Sequence, residues 1–328
     1  MTTPLVSVRD IHVEIDTRRG LLKALRGISF DVEEGASVGI VGESGSGKSI
    51  ALKAILGLLP KNARMTSGEI WINGVQINAL PKNEQRKVIT SNIGMIFQDA
   101  IAALNPVMTI GKQITEIPIY NLGWDKERAK SYALEIMNLV GIPEAERRFE
   151  VYPHQLSGGL RQRIAVAIAL SGQPKVLFCD EPTTSLDVTI QAQVLKLLMD
   201  LRETKGTGLV FVTHDLAVVN EICDDLKVMY AGRLVETGAV ASIFDSPSHP
   251  YSYSLLKAVP DVDHPVERLF SITGEAPDLT EPVVGCPFSP RCFASDATCE
   301  KSEPNLVLSG DKMAACYHSS TFLRAEGK

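Results

Sequence analysis

The octet Gly42-Glu43-Ser44-Gly45-Ser46-Gly47-Lys48-Ser49 constrains this chain more than any other stretch. It fits the pattern G-x4-G-K-[ST], a glycine-rich P-loop whose backbone N–H groups cradle phosphate. The flanks agree with it. Ala36–Val41 is a short apolar run that reads as a buried strand, and Ile50–Leu59 reads as the helix that follows. A helix N-terminus placed there favours anions through its unpaired N–H groups and its dipole. Gly42, Ser44, Gly45, Ser46 and Gly47 are therefore candidates for nucleotide binding. Lys48 is expected on the β- and γ-phosphates and the Ser49 hydroxyl on Mg²⁺. The bland alternative is an ordinary glycine-rich turn.

At 328 residues, with 45% hydrophobic and 22% charged residues, the chain has the composition of an ordinary soluble globular protein and room for one large or two modest domains. A net charge of −6 argues against a broad interface with a nucleic-acid backbone. No run approaches the roughly 18 apolar residues of a membrane span, and Met1–Leu5 carries neither the basic nor the apolar region of a signal peptide. A cytosolic location is expected, with any action at a membrane exerted through partners.

Short β-rich runs alternate with helical patterns as far as about residue 240. Alternation over Val6–Ile15 and the run Gly27–Val32 predict antiparallel strands, and Gly68–Ile77 a strand pair turning at Asn73-Gly74. Residues 81–88 read as a short polar helix and Asn92–Phe97 as an apolar strand. A mostly helical section follows over about 99–171, with Asp125 capping a helix that stops before Gly141. Lys175–Asp180 and Gly208–Thr213 read as buried strands separated by a helix over Ile190–Glu203. Residues 246–328 are read as a C-terminal extension, within which 259–328 form a small loop-rich appendage whose thin core calls for a staple.

Val176–Glu181 is an apolar strand ending in two carboxylates. Asp180 is expected to hold Mg²⁺, and Glu181 to polarise a water attacking the γ-phosphate, unless both are merely solvated acids at a strand end. Between the P-loop and this strand stands Leu156-Ser157-Gly158-Gly159-Leu160-Arg161-Gln162. Small residues at a helix start allow close backbone approach to phosphate. P-loop, Ser-Gly-Gly and acidic strand in this order resemble the ATP-binding-cassette (ABC) proteins, with Leu160 where that family most often has Gln. The resemblance implies a P-loop NTPase cassette: a RecA-like α/β core, an antiparallel β subdomain and a helical signature subdomain. It also implies a Mg²⁺-contacting glutamine at Gln98, a D-loop Ser185-Leu186-Asp187 with Asp187 near nucleotide, a γ-phosphate contact at His214, and signature contacts from Ser157, Gly158 and Gly159. Ile15 stands about where the family stacks an aromatic residue on adenine; His12, Arg18 and Arg19 are nearby. Such cassettes hydrolyse ATP in pairs, so a second is expected from another chain.

Further strings resemble the oligopeptide and dipeptide importer branch: Ala103-Leu104-Asn105-Pro106, Tyr152-Pro153-His154-Gln155, and Ser248-His249-Pro250-Tyr251 followed by Leu255-Leu256. That branch implies two membrane permeases, a second and different ATPase, an extracytoplasmic substrate-binding protein, no nucleic acid, and a peripheral place on the cytoplasmic face of the membrane. Nickel and oligosaccharide importers share the architecture, and a redox-regulated soluble ABC ATPase is the more distant alternative. Cys286, Cys292, Cys299 and Cys316 follow the spacing C-x5-C-x6-C-x16-C, which favours a metal over disulfides but leaves zinc and iron–sulfur open. Similar C-terminal motifs in dipeptide-permease ATPases are associated with a [4Fe-4S] cluster, and the resemblance implies one here, with Zn²⁺ next. Cys179 and Cys223 are expected as buried small apolar residues.

Overall fold

Apolar runs bounded by glycines and acids become strands in the computed structural model, which describes residues 3–98, 103–182, 188–259, 270–319 and 321–322. In chain order these are β1 (Val6–Thr17), β2 (Gly20–Val32), β3 (Ser37–Val41), β4 (Ala63–Ile72), β5 (Val75–Gln76) and β6 (Ile93–Ile96). They continue with β7 (Val176–Asp180), β8 (Gly208–Thr213), β9 (Asp225–Tyr230), β10 (Arg233–Ala239), β11 (Val307–Ser309) and β12 (Lys312–Ala314). None of the helices among the described residues is long and apolar enough to cross a membrane.

The chain divides into two units. The first takes in the chain to Ser7, Asp31–Ala36 and Trp71–Phe211. Its strands lie in the order β8-β7-β6, with β6 and β7 parallel in the register Ile93↔Val176 to Ile96↔Cys179. Every residue of β7 and β8 is buried, as expected of parallel strands covered on both faces. The helix Gly158–Ser171 packs so closely on β6 that a Cβ at Gly94 would collide with the Ala169 carbonyl. The helix Lys126–Leu139 starts where Asp125 accepts a hydrogen bond from the Arg128 N–H at 2.9 Å, an N-cap worth on the order of 1 kcal/mol.

The second unit takes in Val8–Phe30, Ser37–Ile70 and the chain from Val212 onward. One sheet has the order β11-β12-β10-β9-β3, with β3 parallel to β9 in the register Val38↔Asp225 to Val41↔Val228. In the other, β1 lies between β2 and β4. The C-terminal extension draws its burial from this unit. Strand β12 pairs antiparallel with β10, Glu236 opposite Ala314, and the buried Lys312 ammonium donates to the Ser242 and Ser246 carbonyls. Phe288 and Phe322 are fully buried, and Arg26 forms a two-pronged ion pair with Glu303 at 2.8 and 3.1 Å.

Glu236 and His249 are buried polar residues that organise the start of the extension. The Glu236 carboxylate accepts from the backbone N–H of Ser248 (2.6 Å) and of His249 (3.0 Å). Burial pushes its carboxyl up, while those N–H groups, the Ser252 side chain and Lys312 hold it down. His249 Nδ1 accepts from the Tyr251 N–H at 3.0 Å, opening the helix Pro250–Lys257. Burial lowers the His249 pKa from 6.5 to about 3. The folded chain thus keeps this ring neutral, while the unfolded chain protonates it below about 6.5, so acid favours unfolding. Between those two values stability should fall by up to about 1.4 kcal/mol per unit of decreasing pH. His249→Asn retains an acceptor without a titrating ring, and its denaturant midpoint should fall less steeply over that range. An unchanged slope would contradict this assignment.

Candidate functional site

The glycine-rich loop Gly42–Ser49 is built by backbone crowding. Gly42 follows β3 with φ +153°, and a Cβ there would collide with the Met229 carbonyl at the end of β9. Gly47, φ +106°, caps the helix Lys48–Ile55, and a Cβ there would press 2.9 Å from the Ala24 carbonyl. Side chains are excluded from both sides, and the loop crests into solvent at Ser44 and Gly45. Lys48 is buried, with Nζ donating to the carbonyls of Gly42 (2.7 Å) and Glu43 (3.0 Å). The Ser46 carbonyl accepts from the Gly232 N–H at 3.0 Å, and its buried hydroxyl has no hydrogen-bond partner among the described residues. Ser49 is half-buried in the first turn of the helix. This is a preorganised ring of dipoles with a cation at its base.

In the first unit, Asp180 is buried at the end of β7 and Glu181 follows in a left-handed conformation, φ +46°. Such strain in a non-glycine residue persists only where the surroundings enforce it, and it concentrates at working sites. Gln98, just beyond β6, donates through Nε2 to Glu181 Oε2 at 2.8 Å. The sequence-assigned glutamine and glutamate therefore meet directly.

Ser157 caps the helix Gly158–Ser171, its hydroxyl accepting from the Leu160 N–H, and Gly158 and Gly159 leave the helix start open. Arg161 braces the preceding turn by donating to the Pro153 and Leu156 carbonyls at 2.9 and 3.0 Å. Buried Gln162 donates to the Pro182 carbonyl at 2.7 Å, tying this helix to the residue after Glu181. The order of residues does not reveal the Gln162 brace, whose partner lies 20 positions away. His214 follows β8 and is exposed, while its neighbour Asp215 caps the helix Leu216–Ile222. Asp187 and its D-loop lie outside the described residues. Ile15 is half-buried in β1, and Arg18 and Arg19 are exposed before β2.

Cys286, Cys292, Cys299 and Cys316 all carry free thiols and line one small cavity with His249, Phe288 and His318. Burial, aided by the neighbouring thiols, pushes the Cys292 thiol up to about 11 and Cys316 up to about 12. The Cys316 sulfur accepts from the His318 N–H at 3.3 Å. Among the described residues, the group of three metal-binding atoms lying within 4.8 Å of one another is Asp296, Cys299 and His318, not three of the thiols. Asp296 is otherwise occupied: it caps the helix Ala297–Lys301 and stands 3.2 Å from His318 Nε2. Cys179 and Cys223 are buried as expected.

These arrangements define a nucleotide-binding cassette, and comparison with known proteins agrees. The ABC transporter family matches over residues 25–184, and the oligopeptide/dipeptide transporter C-terminal region over residues 235–299. The dipeptide transport ATP-binding protein DppD of Lactococcus lactis is 47% identical, covering 93% of this chain and 88% of its own. The oligopeptide transport ATP-binding protein OppD of Bacillus subtilis is 44% identical over 94% and 87%. The dimeric cassette MJ0796, solved in a post-hydrolysis state with ADP and Pi, is 29% identical, with a TM-score of 0.65 over 72% of this chain and 98% of that one. This chain belongs to the ABC transporter ATP-binding proteins of the oligopeptide/dipeptide importer type.

A direct test of the crowded loop is Gly42→Ala. It should lower stability by at least about 2 kcal/mol in a denaturant titration and impair nucleotide binding. A native midpoint with normal binding would show that the Met229 carbonyl does not close this position.

Proposed function

We propose that this chain is the ATP-hydrolysing subunit of an importer that takes up di- and oligopeptides across the cytoplasmic membrane. The observation that carries the reading is the union of a cassette with the oligopeptide/dipeptide transporter C-terminal region on one chain. The cassette is assigned to residues 1–245, with its helical subdomain over about 99–171, and the extension to 246–328. Two permeases, a second ATPase and an extracytoplasmic binding protein complete the machine, which this chain serves from the cytoplasmic face.

The P-loop N–H groups and Lys48 would take the β- and γ-phosphates, and Ser49, Gln98 and Asp180 are the residues that would hold Mg²⁺, which would offset phosphate charge. Glu181 accepts a proton from, or orients, the attacking water, with Gln98 holding its carboxylate. His214 contacts the γ-phosphate. Ser157, Gly158 and Gly159 present a helix start to the nucleotide of the partner cassette. Closure of two cassettes around ATP moves the permeases, and hydrolysis resets them. Glu181→Gln should retain ATP binding while lowering turnover by about 10²–10⁴-fold. Cells carrying it as their sole copy should lose uptake of a labelled dipeptide, and near-normal turnover would remove Glu181 from this role.

The four cysteines are proposed to hold a metal centre. A tetrahedral zinc with bonds of about 2.3 Å draws its sulfurs to within about 4 Å of each other. No three of these thiols are mutually within 4.8 Å, so the wider set fits a [4Fe-4S] cluster better than zinc. Such a cluster, when bound, supplies a one-electron couple; the thiolates of this chain anchor it and thereby staple the extension. Chain purified without oxygen should contain about four iron and four sulfide per polypeptide. Its removal should lower the melting temperature. Stoichiometric zinc, or no metal at all, would contradict the cluster.

A further inference from the structure

The second residue of the P-loop is gripped by the C-terminal extension. Glu43 receives both prongs of the Arg291 guanidinium, at 2.7 Å (Oε2 to Nη1) and 2.9 Å (Oε1 to Nη2). Its backbone N–H donates to the Tyr251 hydroxyl at 2.8 Å. The Arg291 side chain is 5% exposed. It is fixed in turn by the Thr273 carbonyl at 3.0 Å and the Tyr230 hydroxyl at 3.2 Å. Tyr230, Tyr251 and Phe288 form a triangle with ring centroids 4.7 to 5.3 Å apart, so neither the arginine nor the tyrosine has freedom to drift.

Two physical consequences follow for the nucleotide. A carboxylate within the P-loop opposes the approach of a triphosphate unless a cation neutralises it, and Arg291 supplies that cation from a largely desolvated position. The Glu43 carbonyl also accepts from Lys48 Nζ at 3.0 Å, so holding Glu43 at both ends fixes the carbonyl that steadies the phosphate-binding lysine. We propose that Arg291 and Tyr251 are positioning residues for ATP, which hold and neutralise Glu43 so that nucleotide affinity depends on the C-terminal extension. The inference rests on the P-loop assignment above.

The test is the affinity of the full-length chain for Mg-ATP, measured by fluorescence with thermal midpoints recorded alongside. Arg291→Met should weaken binding about tenfold, and Arg291→Lys by less. Adding Glu43→Gln to Arg291→Met should restore affinity by about fivefold, because the second change removes the carboxylate left without its cation. Recovery by discharging the partner is not expected of an arginine that only supports the fold. Affinity unchanged in Arg291→Met would overturn the proposal, as would equal weakness in the single and double variants with parallel losses in thermal midpoint. If Arg291→Met does not fold, Tyr251→Phe decides: it removes one hydroxyl, weakens binding about threefold under the proposal, and matches the parent chain if the proposal is wrong. Lys48→Ala is the separate control. If that variant binds Mg-ATP as well as the parent does, the P-loop assignment itself fails.

Discussion

At Gly42 the chain passes so close to the Met229 carbonyl that no side chain fits, and the course of the glycine-rich loop depends on that approach. It allows the loop to turn back over the end of β3 and deliver Lys48 to carbonyls that hold its ammonium at the base of the ring. A flexible loop would have to order itself on each binding event. This one is already confined by the Met229 and Ala24 carbonyls, so less of any attraction between its dipoles and an anion would be spent on immobilisation. The same economy is visible at Glu181, whose unfavourable φ is sustained by a rigid strand end and by Gln98.

Much of this was legible in the residues because the signals are local. Asp125 and Asp215 cap helices where their short acceptors reach the next N–H groups. Asn73 and Gly74, at φ +50° and +77°, turn β4 into β5 with Trp71 opposite Gln76. The expected strand Gly208–Thr213 holds to the residue. Other boundaries moved because tertiary pairing outweighs local pattern. Strand β2 begins at Gly20 rather than Gly27, since Lys23 and Arg26 interrupt the apolar run yet their backbones bond the Leu279 and Gly232 carbonyls. The helix after the P-loop begins at Lys48 and ends at Ile55, about half a turn earlier at its start and a full turn earlier at its end than hydrophobicity implied.

The extension was least legible. Strands β11 and β12 carry little alternation of their own, and their place comes from pairing with β10. The contact of Glu43 with Arg291 joins residues 248 positions apart, a separation no periodic pattern reports. Ser248-His249-Pro250-Tyr251 was recognisable as a string, but its physical purpose emerges only in the fold. There Glu236 gathers its N–H groups, and Tyr251 reaches the P-loop. Buried polar contacts of this kind add less net stability than their number suggests, but they penalise every arrangement in which one partner is missing.

A cassette that drives peptide permeases should travel with them, and isolation of the chain from its native membranes in mild detergent tests this most directly. Identification of the co-purifying subunits by mass spectrometry should return two permease proteins and a second ATPase of the same family. A permease-free complex would contradict the claim.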